Sequence, residues 1–347
     1  MKSITEIDKN FKVETNIQKD SIVFYNALST PFKIHGVFHK DGKFRRMPED
    51  AAKSVSDGVY ALHAHTAGGR IRFMTDSPYV AVQVKLGVAY KMQHFAFTGS
   101  IGSDLYVNNT YAGSFIPPYD VTDKYEAVID LCGREMREIT INLPLYSEVT
   151  DVYIGLEKHA TVSEAPDYKF TRPIVYYGSS VTQGGCASRP GMSYQAILSR
   201  SLNADYINLG FSGSARAEDG MAEYIKSLSM SVFVYDYDYN APNADYLEKT
   251  HEKMFLAIRE AHPELPILML SMPRSNLVGE IPRRHAIVKA TYENALARGD
   301  KNVYHIDGKK LLSLCGDEGT VDMCHPTDLG FFSMAKEIEK ILKNILN

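Results

Sequence analysis

The chain has few cysteines, and none of them forms a close pair. Its 347 residues contain four, Cys132, Cys186, Cys315 and Cys324, and no CxxC spacing occurs. The absence of that spacing argues against a zinc ribbon and against a thioredoxin-like redox site. Because the four residues are widely separated, we expect reduced thiols, with a single disulfide as the alternative.

Long apolar segments and basic runs are also missing. No stretch approaches the roughly 18 apolar residues of a membrane span, and the N-terminal segment lacks the apolar core of a secretory leader. We therefore expect no membrane partner and a cytoplasmic location, with a secreted protein whose leader was removed as the alternative. The net charge of -4 and the lack of a Lys/Arg run disfavour nucleic acid and favour a small-molecule or oligosaccharide substrate. The sequence leaves the oligomeric state open.

Apolar and polar residues alternate through much of the first half. The alternation is clearest at Ile71–Phe73, Val80–Leu86, Ile139–Leu143 and Val152–Leu156. A period of two means that a strand has one buried face and one wet face, which is typical of antiparallel sheets. Short strands separated by turn residues favour a β-sandwich, of which the jelly roll is one form. The length suggests two domains, and we assign residues 1–168 to this β-domain.

The second half, residues 169–347, alternates short continuous apolar runs with helical patterns. Continuous apolar strands are buried on both faces, which predicts a parallel sheet with helices on each side. The expected fold is therefore α/β, a three-layer α/β/α domain of flavodoxin-like size after an all-β domain. The predicted strands are Ile174–Tyr177, Tyr206–Leu209, Val232–Tyr235, Ile267–Leu270 and Val303–Ile306. The predicted helices are 193–202, 221–228, 247–262, 283–297 and 329–345, the last with Phe332, Ala335, Ile338, Ile341, Leu342 and Ile345 on its apolar face.

Reactive side chains follow the ends of several predicted strands. Ligands of an open parallel sheet bind beyond the carboxyl ends of its strands. Ser180 follows the first strand, Gly213 the second and Asn240 the third, while Asp322 and His325 precede the last helix. A serine hydroxyl becomes a nucleophile when an imidazole takes its proton, and an acid fixes the tautomer of that imidazole. The sequence therefore predicts a catalytic triad of Ser180, His325 and Asp322.

Acyl transfer also needs hydrogen-bond donors for the oxyanion of the tetrahedral intermediate. The candidates are the backbone N–H of Ser180, the backbone N–H of Gly213 and the side-chain amide of Asn240. Asn243 is the alternative to Asn240. A backbone carbonyl is the alternative to Asp322 as the group that orients the histidine.

Three other features have competing interpretations. His63 and His65 lie one residue apart on a predicted strand and would share a face, as metal ligands do. No cysteine and no third ligand lies nearby in sequence, so we favour a structural role and expect no metal or cofactor. Cys324, beside His325, is the alternative nucleophile, although no second base is in place to serve it. Arg189 is either a substrate contact or a solvated loop charge.

The segments around these residues resemble the SGNH (GDSL-like) hydrolases, named for a Ser, a Gly, an Asn and a His. The first block reads Gly178-Ser179-Ser180, and the run from Tyr176 to Gly191, YYGSSVTQGGCASRPG, is similar to one subgroup. The segment Gly102–Tyr106, GSDLY, matches the GxDLY signature of the β-domain that precedes the hydrolase domain in that subgroup. Ser179 replaces the usual acid of GDS, and the third block, Asp238–Ala241, lacks its usual glycine.

The resemblance implies a function. Such proteins are similar to carbohydrate esterases that remove short acyl groups, commonly acetyl, through an acyl-serine intermediate. One alternative is an acyltransferase that passes the acyl group to a sugar hydroxyl. Another is a non-catalytic carbohydrate-binding protein, and the presence of Ser180, Asp322, His325 and Asn240 argues against it.

Overall fold

The computed structural model describes residues 13–19 and 21–346. Within them the chain divides into two compact units. The first comprises the described residues up to Arg46, Ala64–Asp167 and Ser188–Gly191, and the second comprises Met47–His63, Tyr168–Ala187 and the described residues from Met192 onward. No helix in the described part of the chain is both long and apolar enough to cross a membrane.

The first unit contains two main antiparallel sheets and a two-stranded hairpin. One sheet has the strand order β1-β11-β6-β9, the other has the order β12-β5-β10-β7-β8 with β2 also paired to β5, and β3 pairs with β4. The strands are β1 (Ile22–Asn26), β2 (Lys33–His35), β3 (Phe38–Lys40), β4 (Lys43–Arg45), β5 (Arg70–Thr75), β6 (Tyr79–Val88), β7 (Ser103–Val107), β8 (Thr110–Phe115), β9 (Lys124–Asp130), β10 (Arg137–Asn142), β11 (Glu148–Glu157) and β12 (Val162–Ser163), with a four-residue helix at Phe97–Ser100.

The alternating residues of the sequence form the core of this unit. Ile71 and Phe73 of β5 meet Ile139 and Ile141 of β10 in the antiparallel register. These side chains are fully buried in one apolar cluster with residues of β6 and β11. The prediction of an antiparallel β-domain is therefore confirmed. Every second side chain of β5 enters the apolar core, although Arg70 and Arg72, which alternate with them, are buried too.

The second unit contains a five-stranded parallel sheet of order β14-β13-β15-β16-β17. Its strands are β13 (Phe170–Gly178), β14 (Ala204–Gly210), β15 (Val232–Asp236), β16 (Ile267–Leu270) and β17 (Val303–Ile306). Its helices are α1 (Glu49–Val55), α2 (Asp57–Leu62), α3 (Ser180–Gln183), α4 (Tyr194–Leu202), α5 (Asp219–Lys226), α6 (Ala244–Ala261), α7 (Ile281–Ala297), α8 (Gly308–Leu311) and α9 (Asp328–Leu346), with 3₁₀ turns at Asp238–Asn240 and Gly316–Gly319. A further 3₁₀ turn, Pro190–Met192, begins in the segment that belongs to the first unit.

Helices cover both faces of this sheet. Val175 and Tyr177 of β13 point into a cluster that includes residues of α1, α2, α5, α6 and α7. Tyr176 lies on the opposite face, where its ring packs edge-on against Tyr194 of α4, which stacks on Phe331 of α9. The predicted three-layer α/β/α arrangement is therefore confirmed. The strand order reverses between β13 and β15, and such a switch point is where open sheets bind ligands.

Some details differ from the sequence analysis. We placed all of residues 1–168 in the β-domain, but Met47–His63 belongs to the second unit because Met47, Ala52 and Val59 are buried in its apolar core. In α9, Phe331 is buried and Phe332 is 40% exposed, so the apolar face is shifted by one residue at its start. Two neighbouring aromatic residues fit one helical pattern almost equally well, and packing decides between them.

Candidate active site

Ser180 lies at a sharp turn between β13 and α3. The strand ends at Gly178, and the hydroxyl of Ser179 accepts a hydrogen bond from the N–H of Val181 at 3.2 Å, which caps α3. A Cβ at Gly178 would lie 2.0 Å from the carbonyl oxygen of Asp236, so only glycine fits where β13 and β15 approach. Ser179 thus supports the loop through a cap, in the place of the usual acid.

A buried acid lies beneath the turn. Asp236, the last residue of β15, accepts hydrogen bonds through Oδ2 from Thr182 Oγ1 at 2.9 Å and from the Tyr194 hydroxyl at 3.3 Å. Burial, and next the neighbouring charge of Asp238, raise the pKa of Asp236 well above its ordinary value. This residue was not predicted, because an acid at a strand end has no pattern of its own in the sequence.

Amide side chains fix the far end of α3. The carbonyl oxygen of Thr182 accepts hydrogen bonds from Gln195 Nε2 at 2.6 Å and from Asn208 Nδ2 at 2.7 Å. Gln183 Oε1 accepts from the N–H of Ser212 at 3.0 Å. The helix that begins with Ser180 is therefore tied to the loop that contains Gly213.

Asp322 organises the loop before α9. Its Oδ1 accepts hydrogen bonds from the N–H of Cys324 at 3.0 Å and of His325 at 2.8 Å, and the N–H of Val321 donates to the carbonyl of His325 at 2.9 Å. Met323 has a φ of +66°, which turns the chain tightly enough for these bonds to form. The spacing of three residues between Asp322 and His325 is thus the spacing of a closed turn.

The three residues of the predicted triad are brought together. Ser180 Oγ lies 2.9 Å from His325 Nε2, and His325 Nδ1 lies 2.8 Å from Asp322 Oδ2. Burial by itself would raise the pKa of Asp322, but hydrogen bonds from the backbone and ring of His325, together with the histidine charge, lower it to about 2. An ionised Asp322 holds the proton on Nδ1, so Nε2, which faces the Ser180 hydroxyl, is the nitrogen that can accept the serine proton.

Two of the three predicted oxyanion donors, the N–H of Gly213 and the amide of Asn240, lie on the loops after β14 and β15. Gly213 has a φ of +68°, and the N–H groups of Ser214 and Ala215 both donate to the Phe211 carbonyl, so this turn closes without using the Gly213 N–H. The Ala215 N–H also donates to Oδ1 of Asn240 at 3.3 Å, which leaves Nδ2 as the donor end of that amide.

The alternative amide has a different position. Asn243 is the N-cap of α6, and its Oδ1 accepts a hydrogen bond from the N–H of Tyr246 at 2.8 Å. The side chain of Asn243 therefore already has a structural task, and Asn240 is the amide that remains for an oxyanion.

The structure also describes the surroundings of the cysteines and of His63 and His65. Burial, and next the charge of Asp322, raise the pKa of Cys324 to about 11, so the thiol stays protonated near neutral pH. All four cysteines carry free thiols. The predicted strand at His63 and His65 is wrong, since His63 ends α2 while His65 forms an isolated bridge with Glu148. The sequence analysis did not predict the helix α2, which is capped by Ser56 through a hydrogen bond from the N–H of Val59.

Arg189 is partly buried, and its guanidinium has partners within the first unit. It belongs to the first unit, where its Nη1 donates to Tyr106 at 2.5 Å and to the fully buried Asp104 at 3.2 Å, and its guanidinium lies 3.8 Å from the ring centroid of Tyr111. Asp104 also accepts from the N–H of Gly191 at 2.8 Å. Asp104 and Tyr106 of the GxDLY segment therefore bind the segment Ser188–Gly191.

Comparison with known families assigns the chain. The model described as the GDSL-like lipase/acylhydrolase family matches residues 171–343, and the GxDLY model, the N-terminus of SGNH hydrolase-type esterases, matches residues 22–162. The chain belongs to the GDSL-like lipase/acylhydrolase family. This membership makes it a carboxylic ester hydrolase, and the recognition of both halves from their motifs is confirmed. A search of curated protein sequences found no match.

Solved structures agree with this family. A protein from Bacteroides ovatus described as a GDSL-like lipase is 29% identical, with a TM-score of 0.84 over 94% of this chain and 98% of that one. A salicylyl-acyltransferase from a tetracycline biosynthetic pathway is 19% identical, with a TM-score of 0.76 over 94% and 98%. A family two carbohydrate esterase from Clostridium thermocellum, in complex with cellohexaose, is 16% identical, with a TM-score of 0.59 over 82% and 94%. The last two show a shared fold.

Proposed function

We propose that this protein is a serine esterase that removes short acyl groups, acetyl in the first instance, from carbohydrate hydroxyls. The observation that carries the proposal is the continuous hydrogen-bonded chain from Ser180 through His325 to Asp322, with links of 2.9 and 2.8 Å. Nucleophile, base and orienting acid are thus within hydrogen-bond distance before any substrate binds.

The acylation step uses each of these groups once. Ser180 Oγ attacks the acyl carbon while His325 Nε2 takes the hydroxyl proton, and Asp322 stabilises the imidazolium that results. The oxyanion accepts hydrogen bonds from the N–H of Ser180, the N–H of Gly213 and Nδ2 of Asn240. When the intermediate collapses, the C–O bond to the sugar breaks and the leaving oxygen takes the proton from His325. The product is an acyl-serine and a free sugar hydroxyl.

Deacylation repeats this sequence with water as the nucleophile. His325 takes one proton from water as the water oxygen attacks the acyl-serine. When the tetrahedral intermediate collapses, the bond to Ser180 Oγ breaks, His325 gives that proton to Oγ, and the carboxylic acid leaves and loses its remaining proton to solvent. The enzyme then has its original protonation states. Preorganised donors stabilise the oxyanion in both halves, and removing one such donor typically costs about 10²–10³ in kcat.

The substrate class rests on two observations. The net charge of -4 would repel a polyanionic substrate, whereas a neutral sugar ester avoids this repulsion. The Clostridium esterase, which has the same fold, was solved with cellohexaose. A neutral acylated oligosaccharide is therefore the substrate we propose.

An acyltransferase is the second candidate, and one observation favours it. The salicylyl-acyltransferase has a higher TM-score to this chain than the Clostridium esterase, 0.76 against 0.59. Transfer uses the same acyl-serine and differs only in what attacks it. An alcohol bound in place of water would receive the acyl group.

The proposal is tested by turnover of p-nitrophenyl acetate and of acetylated oligosaccharides, each with and without an added sugar acceptor. We expect release of free acetate from wild-type protein and none from Ser180→Ala, because alanine keeps the Cβ and loses only the attacking oxygen. Intact mass after rapid quenching should show an acetyl adduct on the wild type alone. Full activity in a folded Ser180→Ala protein would refute the triad, and acetyl transfer to the acceptor in preference to water would favour the second candidate.

A further inference from the structure

The turn that holds Asn240 needs partners for its backbone. It is a three-residue 3₁₀ turn, Asp238–Asn240, in which the N–H of Asn240 donates to the carbonyl of Tyr237 at 3.0 Å. So short a turn leaves carbonyl groups at its end without partners inside the turn. Asp238 and Ala241, on either side of Asn240, are buried, so their carbonyls need donors from elsewhere in the protein.

One side chain satisfies both carbonyls. Arg284 of α7 donates through the same nitrogen, Nη1, to the carbonyl oxygen of Asp238 at 2.7 Å and to that of Ala241 at 3.0 Å. Its Nη2 pairs with Glu280 at 3.3 Å, and the residue is 8% exposed. The planar guanidinium has donors in a fixed geometry, so it sets the separation of the two carbonyls that flank Asn240.

Two further contacts attach the same turn to the end of β16. Asp238 Oδ2 accepts a hydrogen bond from the N–H of Met272 at 2.8 Å, and the Tyr239 hydroxyl donates to the carbonyl of Pro273 at 3.3 Å. These contacts hold the side chains of the turn, whereas Arg284 holds its backbone. The direction of the Asn240 amide depends on that backbone, because only χ1 and χ2 separate Nδ2 from it.

We propose that Arg284 is a positioning residue, which holds the turn so that Asn240 Nδ2 reaches the oxyanion, and that it does not touch substrate itself. The inference rests on the proposed esterase function. A catalytic group displaced by about 1 Å loses on the order of 10²-fold in rate. Because the oxyanion exists only near the transition state, the loss should fall on kcat and spare KM.

The test compares Arg284→Met with Arg259→Met. Arg259 is a matched control, since its Nη1 also donates to backbone carbonyls, those of His262, Pro263 and Leu265, in a loop without any proposed catalytic residue. We expect Arg284→Met to lower kcat by about 10–100-fold with KM changed less than about threefold. Arg259→Met should lower the denaturation midpoint and leave kcat unchanged. Circular dichroism establishes that each variant is folded at the assay temperature.

A double-mutant cycle shows whether Arg284 acts through Asn240. In an Asn240→Ala background, Arg284→Met should lower kcat by less than about threefold more, since the amide to be positioned is already gone. Arg284→Lys, which keeps a cationic donor, should restore part of kcat and serves as the folded variant if the methionine variant aggregates. Unchanged kcat in both Arg284 variants, or an equal loss with and without Asn240, would overturn the proposal while the wild type remains active. A wild type without any esterase activity would overturn this proposal together with the proposed function.

Discussion

Asp322 performs two tasks with two different oxygens, and substitution can separate them. Oδ2 accepts from His325 Nδ1, while Oδ1 accepts from the N–H groups of Cys324 and His325. Asparagine keeps an acceptor oxygen for the backbone groups and replaces the other oxygen by a donor. Alanine removes both. We therefore expect the two variants to rank in opposite orders for activity and for stability.

The activity ranking follows from the histidine tautomer. In Asp322→Asn the amide Nδ2 faces Nδ1, which must then accept, so the proton moves to Nε2 and Ser180 loses its base. The same exchange costs about 10⁴ in kcat in the serine-protease triad. Asp322 has 38% of its side chain exposed, so water screens its charge and we expect a smaller loss, about 10³ for asparagine. In Asp322→Ala, water can accept from Nδ1–H, and about 10² is expected.

The stability ranking is the reverse. Asp322→Ala leaves two backbone N–H groups without their acceptor, and hydrogen bonds of this kind contribute about 0.5–1.5 kcal/mol each, so the loss should be about 1–3 kcal/mol. Asp322→Asn should lose less than about 0.5 kcal/mol, because Oδ1 still accepts both bonds. The kcat on p-nitrophenyl acetate and the free energy of unfolding in urea measure the two effects. An asparagine variant more active than the alanine variant would refute the tautomer argument.

Two other expectations concern the stability that buried ionisable side chains contribute. Burial lowers the pKa of His251 from 6.5 to about 3 in the folded protein. On acidification His251 is therefore protonated in the unfolded chain before it is protonated in the folded protein. The stability that neutral His251 contributes is fully present above pH 6.5 and is lost as the pH falls towards 3. Between pH 7.5 and pH 5, protonation of His251 should lower the free energy of unfolding in urea by about 2 kcal/mol. A folded His251→Phe protein that loses as much stability over the same pH range would contradict this expectation. In the first unit, Asp104→Asn should lower the free energy of unfolding by about 3 kcal/mol, because the Arg189 charge loses its buried partner. The double variant Asp104→Asn with Arg189→Met should lose less stability than the two single variants lose together. Additive losses would show that the pair is not coupled.

The hydrolase fold was largely predictable from local pattern. The structure has β16 and β17 at the predicted bounds, Ile267–Leu270 and Val303–Ile306. All four residues of β16 are buried, and burial on both faces requires a continuous apolar run. The position of Ser180 and of Asn240 after the carboxyl ends of neighbouring strands was predictable in the same way. Parallel strands present all their carboxyl ends together, so the order of the loops along the chain determines which side chains meet.

The helices α1 and α2 show what local pattern leaves out. They precede most of the β-domain in the chain, yet Ala52 and Val59 are buried in the core of the second unit. Their sequence is compatible with a helix, but nothing in a segment this short identifies the core that it will join. That choice is made by the apolar surface left uncovered on a sheet more than a hundred residues later in the chain, and such a surface exists only after folding.

Arg284 was harder to predict from the sequence than Ser180, again because its contacts exist only in the folded protein. The chemistry of acyl transfer demands a hydroxyl, an imidazole and a carboxylate, so the residue types themselves pointed to Ser180, His325 and Asp322 as the proposed triad. The carbonyls beside Asn240 demand only a donor at the right place, which an arginine, a lysine, an amide or a backbone N–H could supply from many positions. Arg284 lies 46 residues from Asp238, on a helix whose pattern predicts only that it packs on the sheet. The role proposed for Arg284 therefore rests on three-dimensional contacts, whereas the proposed triad could be predicted from the order and spacing of residues in the sequence.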